Sequence, residues 1–291
     1  MFSIFTDSSA NLPTPYLVQH GVQCIPLTYL VDGKEYCCTD TETFDGDTFY
    51  ETLRSAAEVS TSQVPPQRYI DYFTPALERG EDILFVGMSS GISGSFNAAV
   101  MAAQMLRADF PGRNIRLIDT LAASLGEGIF VMDAIAMRDA GKTLDETAEA
   151  LDCAQQFMYQ VVVLDDLMFL RRTGRVSGKV AVVGSLLNIK PILKGNTEGQ
   201  LVVCGKARGK KHALQALAER YEKLSTNATE QTVGIAYTDC PEDAETLAKL
   251  INKIKRPREL LVVRYEPVTG SHVGPGTVAL FFKGAYGVRE H

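Results

Sequence analysis

Four apolar residues in succession, Ile83-Leu84-Phe85-Val86, give way to Ser89-Ser90-Gly91-Ile92-Ser93-Gly94-Ser95 and then to Phe96-Asn97-Ala98-Ala99. That order reads as a buried strand, a loop of small residues and the start of a helix. Similar units flank it. Ser3-Ile4-Phe5-Thr6 reads as a short strand, Asn11-Leu12-Pro13 as a helix entry with proline in the first turn, and Gly21 as its stop. Val22 to Val31 is β-rich, and Asp32-Gly33 is a hairpin turn into Lys34-Glu35-Tyr36. A helix is expected from about Gly46 to Ala57, and Thr61-Ser62-Gln63 is placed in a loop before a helix that stops at Gly80. Strand Asp82–Gly87, helix Ser95–Arg107, strand Ile115–Ile118 and helix Leu121–Ala140 complete a βαβα alternation. The alternation predicts an α/β fold with a mostly parallel sheet flanked by helices. Thr143-Leu144-Asp145-Glu146 is a capping box.

The pattern changes near Phe157. Val161-Val162-Val163-Leu164 reads as a strand, Asp166 to Arg172 as one or two helical turns, and Ile189–Leu193 with Leu201–Lys206 as a hairpin around Gly195-Asn196-Thr197-Glu198-Gly199. Two helix–strand units lead to Val262–Pro267, and Thr269–Gly276 reads as a loop before the strand Thr277–Phe282. Val180–Leu187, apolar and small, fits a core helix and a ligand-tunnel lining equally well. Hairpins mixed with helices predict a smaller C-terminal α+β layer. The expected domains are therefore 1–156 and 157–291.

A chain of 291 residues that is 45% hydrophobic and 22% charged matches a soluble globular protein. No apolar stretch is long enough to span a bilayer. The start Met1-Phe2-Ser3-Ile4-Phe5-Thr6-Asp7 lacks the basic and long apolar regions of a signal peptide, so a cytoplasmic location is expected. The six cysteines show no Cys-x-x-Cys spacing, which supports neither a metal site nor a disulfide framework. Charge is uneven. Between Arg171 and Lys211 ten basic residues stand against the single acid Glu198, an excess of +9 in a chain of net charge −6. Such a block is either a solvated face or a dock for an acidic partner. Nucleic acid is disfavoured, because the block has no aromatic residue to stack on bases.

Ser93 and Gly94 at a helix start bring a hydroxyl, backbone N–H groups and the positive end of the helix dipole to one place, which suits a carboxylate or phosphate. An ordinary helix cap uses the same residues. Gly91-Ile92-Ser93-Gly94-Ser95 also approximates a nucleophile elbow, and Ser93 before His272 fits the order of an α/β-type serine hydrolase. Ser95 replaces the final glycine of that pattern, and no acidic third member is evident. A phosphate-binding enzyme using the same loop is a third reading. No Gly-x-x-x-x-Gly-Lys-Ser/Thr nucleotide loop is present.

Five segments in register carry a resemblance: Thr6-Asp7-Ser8-Ser9-Ala10-Asn11-Leu12-Pro13, Thr61-Ser62-Gln63, the Ser89–Ser95 loop, Leu167 to Ser177, and Gly270-Ser271-His272-Val273-Gly274-Pro275-Gly276-Thr277. Together they resemble, almost end to end, the DegV family of bacterial fatty-acid-binding proteins. The resemblance implies a two-domain DegV-like fold with a long-chain fatty acid such as palmitate between the domains, and no cofactor or metal. It places Thr61 and Ser93 on the fatty-acid carboxylate with Gly94 allowing close approach, His272 beside the head group, and Leu27 and Ile92 on the tunnel wall. It further implies a carrier in lipid metabolism. The carrier performs no chemistry itself and presents the carboxylate to a separate fatty acid kinase, with Arg171, Arg172 and Arg175 as the docking face. Brief contact with a membrane surface stays open. Two positions depart from the family pattern: Thr173 stands where glycine is common, and Val64-Pro65 where Pro-Ser is common.

Overall fold

The computed structural model describes residues 2–55, 58–176 and 188–291; Val180–Leu187, the expected core helix or tunnel lining, lies outside them. The chain forms two compact units, Met1–Phe44 with Val59–Gln155, and Asp45–Glu58 with Gln156–His291.

The first unit contains β1 (Phe2–Asp7), α1 (Thr14–Gln19), β2 (Gln23–Ile25), β3 (Thr28–Val31) and β4 (Lys34–Cys37). After α2 (Gly46–Arg54), which belongs to the second unit, it continues with β5 (Val59–Ser62), α3 (Pro66–Glu78), β6 (Asp82–Gly87), α4 (Ser95–Asp109), β7 (Ile115–Asp119), α5 (Leu125–Asp139) and α6 (Leu144–Ala154). The parallel sheet runs β2-β1-β6-β7. The β-rich run Val22–Val31 is divided at Pro26, which has no N–H for a ladder. Its first half joins the parallel sheet, and its second pairs antiparallel with β4 and β5. The β3–β4 turn places both Asp32 (φ 49°) and Gly33 (φ 79°) in the left-handed region, as a two-residue hairpin turn requires. Tyr69, Phe73, Ala76 and Leu77 form the buried face of α3, and the rings of Phe5, Tyr69, Phe73 and Phe85 meet with centroids 5.0–6.0 Å apart.

Two expectations for this unit change. Thr61 is on a strand, opposite Tyr29, and not in a loop. Helix α5 starts at Leu125 and not at Leu121, because Leu121 (φ 51°) and Ser124 (φ 54°) are left-handed. There the chain is held to the end of β6 instead: Thr120 Oγ1 donates to Gly87 O at 2.8 Å, and Ser89 N to Ala122 O at 2.8 Å.

The second unit contains β8 (Met158–Val163), α7 (Met168–Arg172), β9 (Ile189–Gly195), β10 (Leu201–Arg208), α8 (Lys210–Leu224), β11 (Thr232–Tyr237), α9 (Pro241–Ile254), β12 (Glu259–Arg264), α10 (Pro267–Val273) and β13 (Val278–Lys283). Its mixed sheet runs β10-β9-β8-β13-β11-β12, parallel only between β11 and β12. Six strands make it wider than the four-stranded parallel sheet, where the hairpin pattern predicts a smaller layer. Alternate residues Tyr159, Val161, Val163, Val233, Ile235, Val278, Leu280 and Phe282 form one core with Leu214, Leu217 and Tyr221 of α8 and Leu247 and Ile251 of α9. Helix α2, counted by sequence with the first domain, packs here. Its Phe49, Tyr50 and Leu53 are buried, Tyr50 Oη donates to Tyr265 O at 2.9 Å, and Arg54 pairs with Asp239 at 2.6 Å.

Candidate functional site

Seven residues, Met88–Gly94, link β6 to α4, and backbone bonds fold them tightly. The Ile92 and Ser93 N–H groups both donate to Ser89 O at 3.2 Å, Gly91 N donates to Ser89 Oγ at 3.1 Å, and Ser90 N reaches Asp119 Oδ1 at 3.2 Å. Ser93 Oγ accepts from Ser95 N at 3.2 Å and donates to Ser95 Oγ at 3.0 Å. Ser95 Oγ, fully buried, also accepts the Val64 N–H at 3.1 Å. A Cβ on Gly94 would fall 1.9 Å from Gln63 Oε1. Ser95 and Gly94 thus fasten the start of α4 to the residues that follow Thr61. The structure brings Gln63 and Val64, the residues two and three beyond Thr61, to Gly94 and Ser95 at the N-terminus of a 15-residue helix, whose first-turn N–H groups have no intrahelical partner.

Leu27 and Ile92, the expected tunnel-wall residues, sit in different surroundings. Leu27 is only 2% exposed and its N–H donates to Ser8 Oγ at 3.0 Å, whereas Ile92 is half-buried within the loop. Sequence reasoning missed Arg68. From the first turn of α3 its guanidinium donates to Pro26 O and to Thr28 Oγ1, both at 2.9 Å. It thereby anchors β3, the strand that sets the register of Thr61. The signal was an arginine five residues beyond Gln63, too ordinary in a helix to stand out. Ser95 was read only as a departure from an elbow pattern and is instead the polar hub of the turn. The long connection and the Ser93–Ser95 hydrogen bond also differ from a sharp elbow that hands its hydroxyl to a base.

In the second unit, His272 lies in the last turn of α10 and not in a loop. Glu266 caps the helix, accepting from Val268 N at 2.7 Å and Thr269 N at 2.5 Å. Gly270, Ser271 and Val273 are buried, so the glycine-rich segment is packed material despite its small side chains. Burial, then the nearby Arg175 charge, pulls the His272 imidazole down to about 4. The ring is therefore neutral near pH 7 and offers a ring N–H.

The segments Leu167–Arg175 and Gly270–Thr277, far apart in sequence, pack together. A Cβ on Gly274 (φ 78°) would fall 2.4 Å from Phe169 Cδ2, and one on Gly276 (φ 74°) 2.3 Å from Asp165 Oδ2. The Arg172 guanidinium stands 4.9 Å from the Phe169 ring centroid. Thr173 closes α7 with its hydroxyl donating to Phe169 O at 3.1 Å, and the left-handed position is taken by Gly174 (φ 71°), so a side chain at 173 fits without strain. The basic block is not one surface. Lys190 and Lys210 pair with Asp165 at 2.8 and 2.7 Å, and Lys210 also donates to Gly276 O. Burial would raise the Asp165 carboxyl, but the two lysines outweigh it and hold it below its ordinary value. Arg171 and Arg172 stay exposed and Arg175 half-buried. Among the described residues no three of His, Cys, Asp and Glu converge to hold a metal ion, and no helix is long and apolar enough to cross a membrane.

A family profile described as "Uncharacterised protein, DegV family" matches residues 1–284. A DegV domain-containing protein of Clostridium perfringens is 37% identical over 283 residues, covering 97% of both chains. Among solved structures, a fatty-acid-binding DegV family protein from Thermus thermophilus superposes with a TM-score of 0.88 at 29% identity, covering 98% of this chain and 99% of the other. One from Streptococcus agalactiae, also described as fatty acid binding, gives 0.85 at 28% identity with the same coverage. With a profile matched over nearly its whole length and a relative above one-third identity, this chain belongs to the DegV family.

Proposed function

We propose that this protein binds one long-chain fatty acid, with the carboxylate at the Ser93-Gly94 turn and Thr61. The observation that carries the reading is the joining of the residues after Thr61 to the start of α4 through Ser95, at a helix N-terminus whose N–H groups, with the Ser93 hydroxyl turned from Ser95 to the ligand, favour an anion. The fatty acid binding of the Thermus and Streptococcus relatives supports the ligand class. Burying a sixteen-carbon tail is worth about 12 kcal/mol gross at ~0.8 per methylene, before ordering and association costs, so retention needs no covalent bond. Leu27 and Ile92 are proposed to line the start of the tail path. The family resemblance assigns His272 to the same ligand, and the neutral imidazole would serve as a hydrogen-bond donor.

On this reading the protein carries the fatty acid without transforming it and offers its carboxylate to a separate kinase. The exposed Arg171 and Arg172, with Arg175, are the proposed dock. Organic extraction of natively purified protein, followed by mass spectrometry, tests the binding. About one fatty acid per chain is expected. Recovery of no lipid, with no uptake of added palmitate or oleate, would refute it.

A further inference from the structure

Asp7 ends β1 and is 1% exposed, and Glu127 in the first turn of α5 is fully buried. Ser9 lies between them. Its Oγ is 2.5 Å from Asp7 Oδ1 and also hydrogen-bonded to Glu127 Oε2. A serine hydroxyl has one hydrogen, so it donates to one carboxyl oxygen only. Were both carboxyls ionised, the other contact would set two acceptors against each other in a buried site. The missing hydrogen must come from a carboxyl O–H that donates to Ser9. Three further bonds to the pair do not supply it, because in each the carboxyl again accepts: Thr6 Oγ1 donates to Glu127 Oε1 at 3.0 Å, Ser9 N to Asp7 Oδ1 at 2.9 Å, and Met88 N to Asp7 Oδ2 at 3.3 Å.

We propose that Asp7 and Glu127 share one proton through Ser9, and that Asp7 in this state is a positioning residue for the head-group loop. Its Oδ2 holds the N–H of Met88, the first residue of the β6–α4 link, and its neighbour Ser8 holds the N–H of Leu27. Only the effect on binding rests on the fatty-acid reading; the shared proton does not.

The surroundings agree. Burial raises the Asp7 carboxyl, against the lowering by its bonds to Ser9 and Met88. From α3, Tyr69 faces the pair, kept protonated chiefly by burial and then by Asp7 and Glu127, with Arg68 acting the other way on Tyr69. From β6 and the residues after β2 come the backbone N–H groups of Met88 and Leu27. Losing the shared proton would put a second negative charge into a dry cluster and push the carboxyls apart. The ends of β1 and β6, and with them the loop, would loosen.

The test follows binding of a fluorescent polyene fatty acid from about pH 5 to about pH 9 in wild type, Asp7→Asn and Glu127→Gln. Infrared difference spectra of ligand-free wild type are recorded alongside for the carbonyl stretch of a protonated carboxyl. An asparagine amide can donate to Ser9 Oγ and accept from Met88 N but cannot lose the proton; it gives up the bond from Ser9 N, a loss common to every pH, so the readout is the slope with pH and not the absolute affinity. Wild type is expected to show the protonated-carboxyl band and, above the titration of the pair, an affinity falling about tenfold per pH unit; that fall is absent in either amide variant. A missing band overturns the shared proton. A flat wild-type profile, or the wild-type fall persisting in both variants, overturns the positioning role. If wild type binds no fatty acid at any pH, the fatty-acid reading and the positioning role fail together, while the infrared band still decides the proton.

Discussion

Gly270 sits two residues before His272, where α10 meets α2. A Cβ at this position would lie 2.1 Å from Tyr50 Oη and 3.0 Å from Cζ, a clash with a ring and not with a flexible tip. Tyr50 is 1% exposed and tethered by its bond to Tyr265 O, so it has little room to retreat. Gly270→Ala therefore overpacks the contact, at about 1–3 kcal/mol, and breaks a buried phenol hydrogen bond, at about 1–3 kcal/mol. Alanine's better helix propensity returns about 1 kcal/mol, leaving a net loss of about 1–5 kcal/mol, with the middle of the range near 3. Urea denaturation with an unchanged slope measures it. Tyr50→Phe removes the atom that clashes most, so Gly270→Ala is expected to cost only about 1 kcal/mol in that background, a coupling of about 1–3 kcal/mol. Strict additivity of the two substitutions, or a neutral Gly270→Ala, would refute the contact as described.

Three further outcomes are expected. Ser93→Ala removes a proposed ligand donor and the cap on Ser95 N, so fatty-acid affinity falls by about 1–3 kcal/mol and stability by about 1 kcal/mol; Thr61→Val lowers affinity too, and unchanged binding in both places the carboxylate elsewhere. His272 titrates near 4 in the folded chain against 6.5 as its ordinary value, so the unfolded chain binds the extra proton between these limits and stability falls as pH drops from 6.5 towards 4. The difference between wild type and His272→Asn in pH-dependent unfolding isolates that slope, worth up to about 3 kcal/mol, and identical slopes would count against it. Reversing Arg171 and Arg172 to Glu is expected to slow kinase-dependent acyl phosphate formation while fatty-acid binding persists; if both activities survive, these arginines are a solvated face.

The strand Asp82–Gly87 and the start of α4 at Ser95 were legible because an apolar run and a cluster of small residues have strong local signatures. The two glycines at 274 and 276 were visible, but not their purpose. Their left-handed backbones and their closeness to Phe169 and Asp165 arise from packing across a hundred residues, which no window of sequence reports. The same holds for α10, where Pro-Val-Thr-Gly-Ser-His-Val has poor helix formers and is held by the Glu266 cap and burial. Lys190 and Lys210 were counted as part of a basic face because charge alone does not show that Asp165 lies between them. Thr61 was placed in a loop because Val-Ser-Thr-Ser is short and its pairing partner, β3, lies thirty residues earlier.

The position of α2 has a consequence during synthesis. The helix is made early, yet the carbonyl that receives Tyr50 belongs to Tyr265, 215 residues later. At ~5–20 residues per second, α2 waits roughly 10–40 s beside the ribosome before β12 and α10 exist. Phe49, Tyr50 and Leu53 are exposed for that interval, in a segment too short to hold as a lone helix. The nascent chain is thus most open to aggregation or chaperone capture at a place that is fully covered in the finished protein, and a truncation anywhere before residue 265 leaves that apolar face without its partner.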